Sequence, residues 1–421
     1  MVKPIRPWSG APAVTLMCVM VLASGCGSGA DDQPTTAATT QVATDDTVIS
    51  TATEAPVTLA AGQSLLVTEA GSITAKAQAE AGAIAGQGGQ LKVTNEGLVD
   101  TGTAVNTAGI KLVGDGVTVI NRGWLRAGGN NSAAVEVVGD DAAVTTTGGM
   151  TSGVTGQQDQ PVRASGDNVG ISVVGDRAQV TAAGTFVSTV DQGRWVSVTG
   201  GTTALNADGT FESFGPNSAA FALVGVDAVA TVKGRYATHG PMSGFISLTN
   251  ADSGSLEVAA SFRSEGEDSG GIAASGSLLA VTVAGSLTTA GRNSPGIALT
   301  SRVGGPLGGG LGLTSNGAIT TSGDGSPGIT LTAGNSSVDL TGKVATTGQD
   351  SPGLVIDGAD VQVSITGPIS TTGAASPAIV VTESSSKVVI TCAAGLTLSV
   401  AQGPVVQVPT AAVLFQGCPT G

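Results

Sequence analysis

Four phrases in the last third of the chain echo one another: Ser294-Pro295-Gly296-Ile297, Ser326-Pro327-Gly328-Ile329, Ser351-Pro352-Gly353-Leu354 and Ser376-Pro377-Ala378-Ile379. The apolar residues that close them lie 32, 25 and 25 positions apart. A repeat of this length marks a solenoid, because one short unit cannot bury its own apolar face and must lie against the next. The first apolar residue after each small-residue turn carries the phase back through the chain: Ile84, Ile110, Val135, Ile171, Val196, Phe221, Phe245, Ile272, Ile297, Ile329, Leu354, Ile379 and Val405. Ten of the twelve intervals fall between 24 and 27, so this is a period and not chance clustering. The two longer ones coincide with insertions, polar at Gln157-Gln158-Asp159-Gln160-Pro161 and glycine-rich from Gly304 to Gly310. Insertions of this kind loop out of one coil without disturbing the stack.

The template within a coil is strand, turn, strand, turn, strand. Gly109 to Val113 is followed by Gly114-Asp115-Gly116, then Val117 to Ile120, then Asn121-Arg122-Gly123, then Trp124 to Ala127. Apolar and polar residues alternate over four or five positions, as half-buried strands require. Helix-period patterns of useful length are absent after the leader. Three short strands in about 25 residues is the geometry of a single-stranded parallel β-helix, each strand pairing with its equivalent one coil later at ~4.8 Å. The expectation is an all-β rod of about thirteen coils and about 60 Å, right-handed as parallel crossovers are. Composition agrees. Charged residues make up 11% against about 25% in ordinary domains, and 65 residues are Gly, yet 41% are apolar. Such a core must be built from Val, Ile, Leu, Ala and Thr. A net charge of −14 offers no basic face to phosphates, so nucleic acid is excluded as a partner.

Serine-proline at four successive turns suits proline, which cannot donate to a central ladder. The glycine after it is expected to supply backbone freedom. Cys392 and Cys418 each lie 13 residues after an anchor, Ile379 and Val405. One coil apart and in phase, they come within disulfide range and predict a clamp on the final coil.

Residues 1–25 read as a leader. Lys3 and Arg6 precede a short apolar run from Ala11 to Leu22, too short to span a membrane of ~20 residues. The run ends in Leu22-Ala23-Ser24-Gly25-Cys26, which resembles the lipobox of bacterial lipoproteins. That resemblance implies cleavage before Cys26 and lipid on its thiol, with Cys18 lost in the leader. Gly27 in place of Asp implies an outer-membrane destination. Residues 26–55, rich in Ser, Thr, Ala and Asp, read as a flexible tether. Val57 to Ile73 should form the N-terminal cap coil of a β-helix covering residues 56–421.

Phrases such as Gly291-Arg292-Asn293-Ser294-Pro295-Gly296-Ile297, Asn316-Gly317-Ala318-Ile319-Thr320-Thr321 and Gly373-Ala374-Ala375-Ser376-Pro377 resemble passenger repeats of proteobacterial autotransporters and related adhesins. The likeness covers residues 70–410 and implies a β-helical surface module. No translocator barrel is expected after Val405, so the lipid would take its place as membrane attachment.

Few residues suggest chemistry. Asp115, Asp140 and Asp176 each lie five residues after an anchor and should stack as a carboxylate column. Hard oxygens could hold Ca²⁺, but Gly-Asp is common turn chemistry, and that reading is preferred. His239 is the only histidine and reads as an exposed turn residue. With Lys233, Arg235 and Tyr236 it is the best place to look for a lyase-like enzyme. It is one edge cluster without an acidic partner set, so no catalytic residues and no cofactor are assigned. Trp124 and Trp195 occupy different phases and form no aromatic platform. Either could stack on sugar, with packing over the rod surface the commoner role. Gly128-Gly129 and Gly308-Gly309-Gly310 are not phosphate loops, because no helix start or Lys-Ser/Thr ending follows. The sum is an adhesive or structural envelope lipoprotein whose partners are the membrane and a host-surface or glycan ligand; the alternatives are a glycan-active enzyme and an end-to-end assembly module. Cys26→Ser is expected to abolish labelling by a fatty-acid probe and move the protein from the membrane to the soluble fraction.

Overall fold

A computed structural model describes residues 41–42, 46–75, 82–152, 154–155, 162–163, 168–188, 191–301, 310–382, 385–408 and 413–419. It is an all-β parallel solenoid of about thirteen turns, with no helix among the described residues. Thirty-eight strands form one continuous sheet wrapped around an apolar interior. The template coil has strands Ala108–Val113, Thr118–Asn121 and Trp124–Ala127. Each pairs in parallel with its equivalents one coil below and above, giving three long faces.

The ladder keeps the phase read from the sequence. Ile84, Ile110, Val135, Ile171, Val196 and Phe221 are successive partners, and so are Ile272, Ile297, Ile329, Leu354 and Ile379. The pairings Val135–Ile171 and Ile297–Ile329 run straight past the two insertions. Gln157–Pro161 and Gly304–Gly309 themselves lie outside the described residues; Val154–Thr155 and Val162–Arg163, flanking the first, form a separate antiparallel pair.

Two anchors are off by one. The partner of Phe221 is Ile246, not Phe245, and that of Ile379 is Val406, not Val405. The cause is a corner. Where the first face begins, two consecutive residues point inward, as in Trp195-Val196, Ala220-Phe221 and Phe245-Ile246. An apolar residue just after a turn therefore does not by itself identify the ladder position.

The solenoid also begins earlier than expected. Gln41–Val42, Thr47–Ile49 and Ala52–Thr53, inside the segment read as tether, pair with Val57–Leu59, Ser64–Val67 and Ser72–Thr74. Val57 to Ile73 is thus a second coil and not the cap. Only Ile49 among residues 46–53 is buried, so the first coil carries almost no apolar pattern.

Between residues 178 and 283 the second and third faces fuse into long bent strands such as Ala178–Ser188, Thr202–Ser213 and Asp227–Thr238. Gly184 and Gly234, at φ of 106° and 103°, stand in register at the bend. The interior here is filled by aromatic rings. Phe186, Phe211, Tyr236 and Phe262 are successive ladder partners, facing Trp195, Phe221 and Phe245 from the first face. Phe186 and Phe211 stack at 5.7 Å, and Phe245 and Phe262 at 4.6 Å. Trp195, expected to pack over the surface, is fully buried in this band because it holds the extra inward corner position.

The serine of each Ser-Pro phrase faces inward. The N–H of Ser294 donates to Oγ of Ser326 at 2.9 Å, Ser326 to Ser351 at 3.0 Å, and Ser351 to Ser376 at 3.0 Å. The column extends down through Ser269, Ser243 and Ser218. Each hydroxyl in turn donates to a glycine carbonyl, as Ser351 does to Gly323 at 3.0 Å. Thr289, Thr321 and Thr346 close the turns by donating to the carbonyls of Ser294, Ser326 and Ser351. Buried hydroxyls satisfied in this way stabilise, whereas a missing partner costs about 1–3 kcal/mol.

The strained residue is the one before the serine: Asn217, Met242, Asp268, Asn293, Asp350 and Ala375 all have φ between 51° and 55°. The glycine after proline does not adopt positive φ, contrary to expectation. It is there for close approach, since a Cβ on Gly296 would lie 2.5 Å from Ile319 Cγ2 and 2.6 Å from the Gly328 carbonyl. A shorter buried ladder runs near the N-terminal end, where Asn95 Nδ2 donates to Asn121 Oδ1 and Asn121 Nδ2 to Thr146 Oγ1.

Cys392 and Cys418 form a disulfide with Cα atoms 4.7 Å apart. The strand ladder pairs Thr391 with Gln416, so the cysteines are one position out of strict phase. A turn at Gly417, φ 70°, brings Cys418 over Cys392. Closing a loop of this size is worth about 3 kcal/mol. It clamps a final coil whose apolar residues, among them Leu398, Val406, Val413 and Phe415, are only partly buried.

Ser351→Ala leaves the Ser326 N–H and the Gly323 carbonyl without partners. It should destabilise the fold by about 1–3 kcal/mol in urea denaturation, while Ser399→Ala, at an exposed position, should stay within about 0.5 kcal/mol.

Candidate functional site

The outward faces carry few charges, and many pair along the ladder. Lys111 meets Glu136 at 3.3 Å, Arg122 meets Glu96 at 3.1 Å, and Lys387 meets Asp360 at 3.3 Å. Exposed pairs of this kind contribute about 0–1 kcal/mol each.

Asp115, Asp140 and Asp176 do stack, as the phase required. Asp115 Oδ1 accepts the N–H of Asp140 at 2.9 Å, and Asp140 Oδ1 that of Asp176 at 2.9 Å. Asp176 Oδ1 accepts the N–H of Gly201. Each carboxylate is thus a turn acceptor for the coil above. Arg177 adds a fork, Nε to Asp141 Oδ1 at 2.6 Å and Nη2 to Oδ2 at 2.7 Å, and lies 3.7 Å from Asp140. The hydrogen bond from Arg177 holds the Asp141 carboxyl below its usual range, and the same bond holds the guanidinium further above its own. Among the described residues no three His, Cys, Asp or Glu side chains are grouped to hold a metal ion.

His239 sits at the start of a turn on the third face, with neighbours the sequence reading did not assign. Its Nδ1 lies 2.9 Å from Glu265 Oε2 in the coil above, and its Nε2 lies 3.2 Å from Glu212 Oε1 in the coil below. The imidazole stacks on Phe214 at 4.8 Å with 10° between planes. Arg263 Nε donates to the other Glu265 oxygen at 2.8 Å. His239 therefore has an acidic partner set, and it is half-buried rather than exposed. The glutamates stand 27 residues before and 26 after it, so adding one period in each direction would have found them. Tyr236 drops out of the cluster: its ring is in the core, its hydroxyl donates to the Lys233 carbonyl, and burial pushes its pKa up. Lys233 and Arg235 remain on the outside.

Burial draws the His239 pKa down, but hydrogen bonds with Glu265 and Glu212 outweigh it and leave the imidazole above its usual 6.5. The bonds from His239 and then Arg263 hold Glu265 below its usual 4.5. An imidazolium between two carboxylates is a proton-holding arrangement. It can also brace three coils, since its partners come from below and above.

Trp124 is 48% exposed and stands between Leu98 and Gly149 in the ladder. Cys26 and the leader lie outside the described residues. No helix among the described residues is long and apolar enough to cross a membrane. Set against the models of known protein families, the curated proteins and the solved structures, the chain matches none.

A raised imidazole pKa contributes stability that is full below the unfolded value of 6.5 and is lost as pH rises through the folded value. A lowered Glu265 contributes above 4.5 and loses that contribution as pH falls through its folded value. The brace is therefore strongest between 4.5 and 6.5. Thermal melts of His239→Gln against the parent should differ most in that window and converge at alkaline pH.

Proposed function

We propose that this chain is a cell-envelope lipoprotein whose solenoid acts as a structural and adhesive surface module. In this reading lipid on Cys26 anchors it to the outer membrane, and the rod presents its faces to a host surface, another cell or glycan. The observation that carries the reading is the long parallel ladder. Among the described residues the coils pair in parallel from Gln41 to Gln416, with one register shift between Leu248 and Ala251, and this makes a stiff spacer. The disulfide supports an extracytoplasmic, oxidising location. The small, sparsely charged outward residues support broad surface contact in place of a reaction cleft. Likeness to autotransporter passenger repeats supports the same assignment.

A second reading has one observation in its favour. His239 with Glu212, Glu265 and Arg263 supplies acid–base groups of the kind a glycan-active lyase or hydrolase needs. Neither of the two main surface hollows is lined by these residues, and both glutamates are already engaged by the imidazole, so the adhesive reading is preferred.

Protease shaving of intact cells should remove the protein if the rod is displayed outward, and protection would place it in the periplasm. A screen of acidic and neutral polysaccharides for reducing ends and unsaturated products should stay at background; turnover lost in His239→Gln would replace the adhesive reading with the enzymatic one.

A further inference from the structure

Of the aromatic side chains in the described residues, seven are packed in the central core, Phe415 is partly buried in the final coil, and Phe214, 42% exposed, has the His239 ring stacked on it. Trp124 is different. It points outward from the third face at 48% exposure, two coils from Phe186 of the aromatic band but on the outer side of the sheet. Indoles are mostly buried in folded chains, and this one is the most exposed of the few aromatic side chains in the described residues.

Its setting is shaped around it. The next ladder position is Gly149, which interrupts an outward row with no side chain. A Cβ there would fall 2.5 Å from Cζ3 and 2.7 Å from Cε3 and Cη2 of the indole. The benzo ring therefore lies against the Gly149 backbone, and the rest of the ring looks out. On the other side a shallow hollow descends over the two preceding coils, past Leu98, Glu96, Gly97 and Ser72 to Glu69, with Arg126 on its rim.

Leu98 is the one aliphatic side chain larger than alanine in that hollow, so it has no deep apolar socket for a peptide anchor. Two of its charges, Glu96 and Arg126, are matched, by Arg122 at 3.1 Å and Asp100 at 3.9 Å. Exposed pairs are weak and can re-partner with vicinal hydroxyls, which accept from guanidinium and donate to carboxylate. Glu69 and the net charge of −14 disfavour an acidic ligand. A flat aromatic floor beside paired donors and acceptors fits a ring with one C–H face and a hydroxyl rim.

We infer that Trp124 and the hollow over Glu69, Glu96, Leu98 and Arg126 form a binding site for a neutral oligosaccharide, a pyranose ring stacking on the indole. The site rests on the adhesive reading, for which it supplies the ligand class.

The test is a tryptophan-fluorescence titration of the purified full chain with cellotetraose, mannotetraose and laminaritetraose. Trigalacturonate and a Phe-rich peptide serve as the acidic and peptide comparisons. Trp195 is buried and Trp8 stands in the leader, so the part of the emission change that disappears in Trp124→Phe is that of Trp124. At least one neutral tetrasaccharide should shift it to the blue with saturation. Trp124→Ala should weaken binding, read by calorimetry, about tenfold or more, the scale of a lost stacking contact. Trp124→Phe should stay within a few-fold. Gly149→Ala, which keeps every ligand-facing side chain but displaces the indole, should weaken binding several-fold. Near-ultraviolet circular dichroism from the buried rings confirms that the variants fold. Flat titrations with all three neutral sugars, binding confined to trigalacturonate or the peptide, or undiminished sugar binding in a folded Trp124→Ala overturns the site. Shaving that strips the protein from cells while the titrations stay flat removes this site and leaves surface display standing. Sugar binding by a protein protected from shaving does the opposite.

Discussion

Each coil hands its backbone N–H and carbonyl groups to the coils on either side, and every other feature depends on that ladder staying in register. A slip of one residue would turn the inward set outward along a whole strand. The buried serine column resists such a slip. Ser218, Ser243, Ser269, Ser294, Ser326 and Ser351 each occupy one place in one turn, where N–H and hydroxyl both find partners in neighbouring coils or the same turn, and Ser376 ends the column through its hydroxyl. In any other register these hydroxyls would be buried without partners. The column therefore acts less as glue than as a pin, since hydrogen bonds of this kind contribute modestly when made and cost more when broken.

The corners explain how a chain so poor in aromatic residues holds a wide interior. Two successive inward residues at the start of the first face place more volume there than strict alternation allows. In the middle coils that volume is aromatic, Trp195, Phe221 and Phe245 meeting Phe186, Phe211, Tyr236 and Phe262 across the core. The same corners made Phe245 look like a ladder anchor when its neighbour Ile246 holds that position.

The surface follows from the same stacking. A residue repeated at the period becomes a column, so a turn aspartate becomes a carboxylate ladder whose members accept the next coil's N–H. Several cations, among them Lys111, Arg122, Arg126, Arg177 and Lys387, lie beside an opposite charge one coil away, while the faces as a whole stay acidic. On such faces the exceptions carry the information. His239 is held between glutamates from two other coils, and Trp124 is seated on a bare glycine.

The repeat was legible in the residues because a solenoid writes its geometry into the chain at fixed intervals: about 25 positions, three strands per coil, two loops that leave the stack intact, and two cysteines one coil apart. Those features are local or periodic, and the physical chemistry of short β-strands and turns suffices to read them. The three-dimensional structure alone decided what lies between coils. It placed Trp195 inside and Trp124 outside, and joined His239 to Glu212 and Glu265. It set Phe245 aside in favour of Ile246, and it gave the post-proline glycine a steric role in place of a conformational one. Those outcomes depend on which atoms of distant coils come within a few ångströms of one another, and a one-position turn at a corner changes them without leaving any mark on the period.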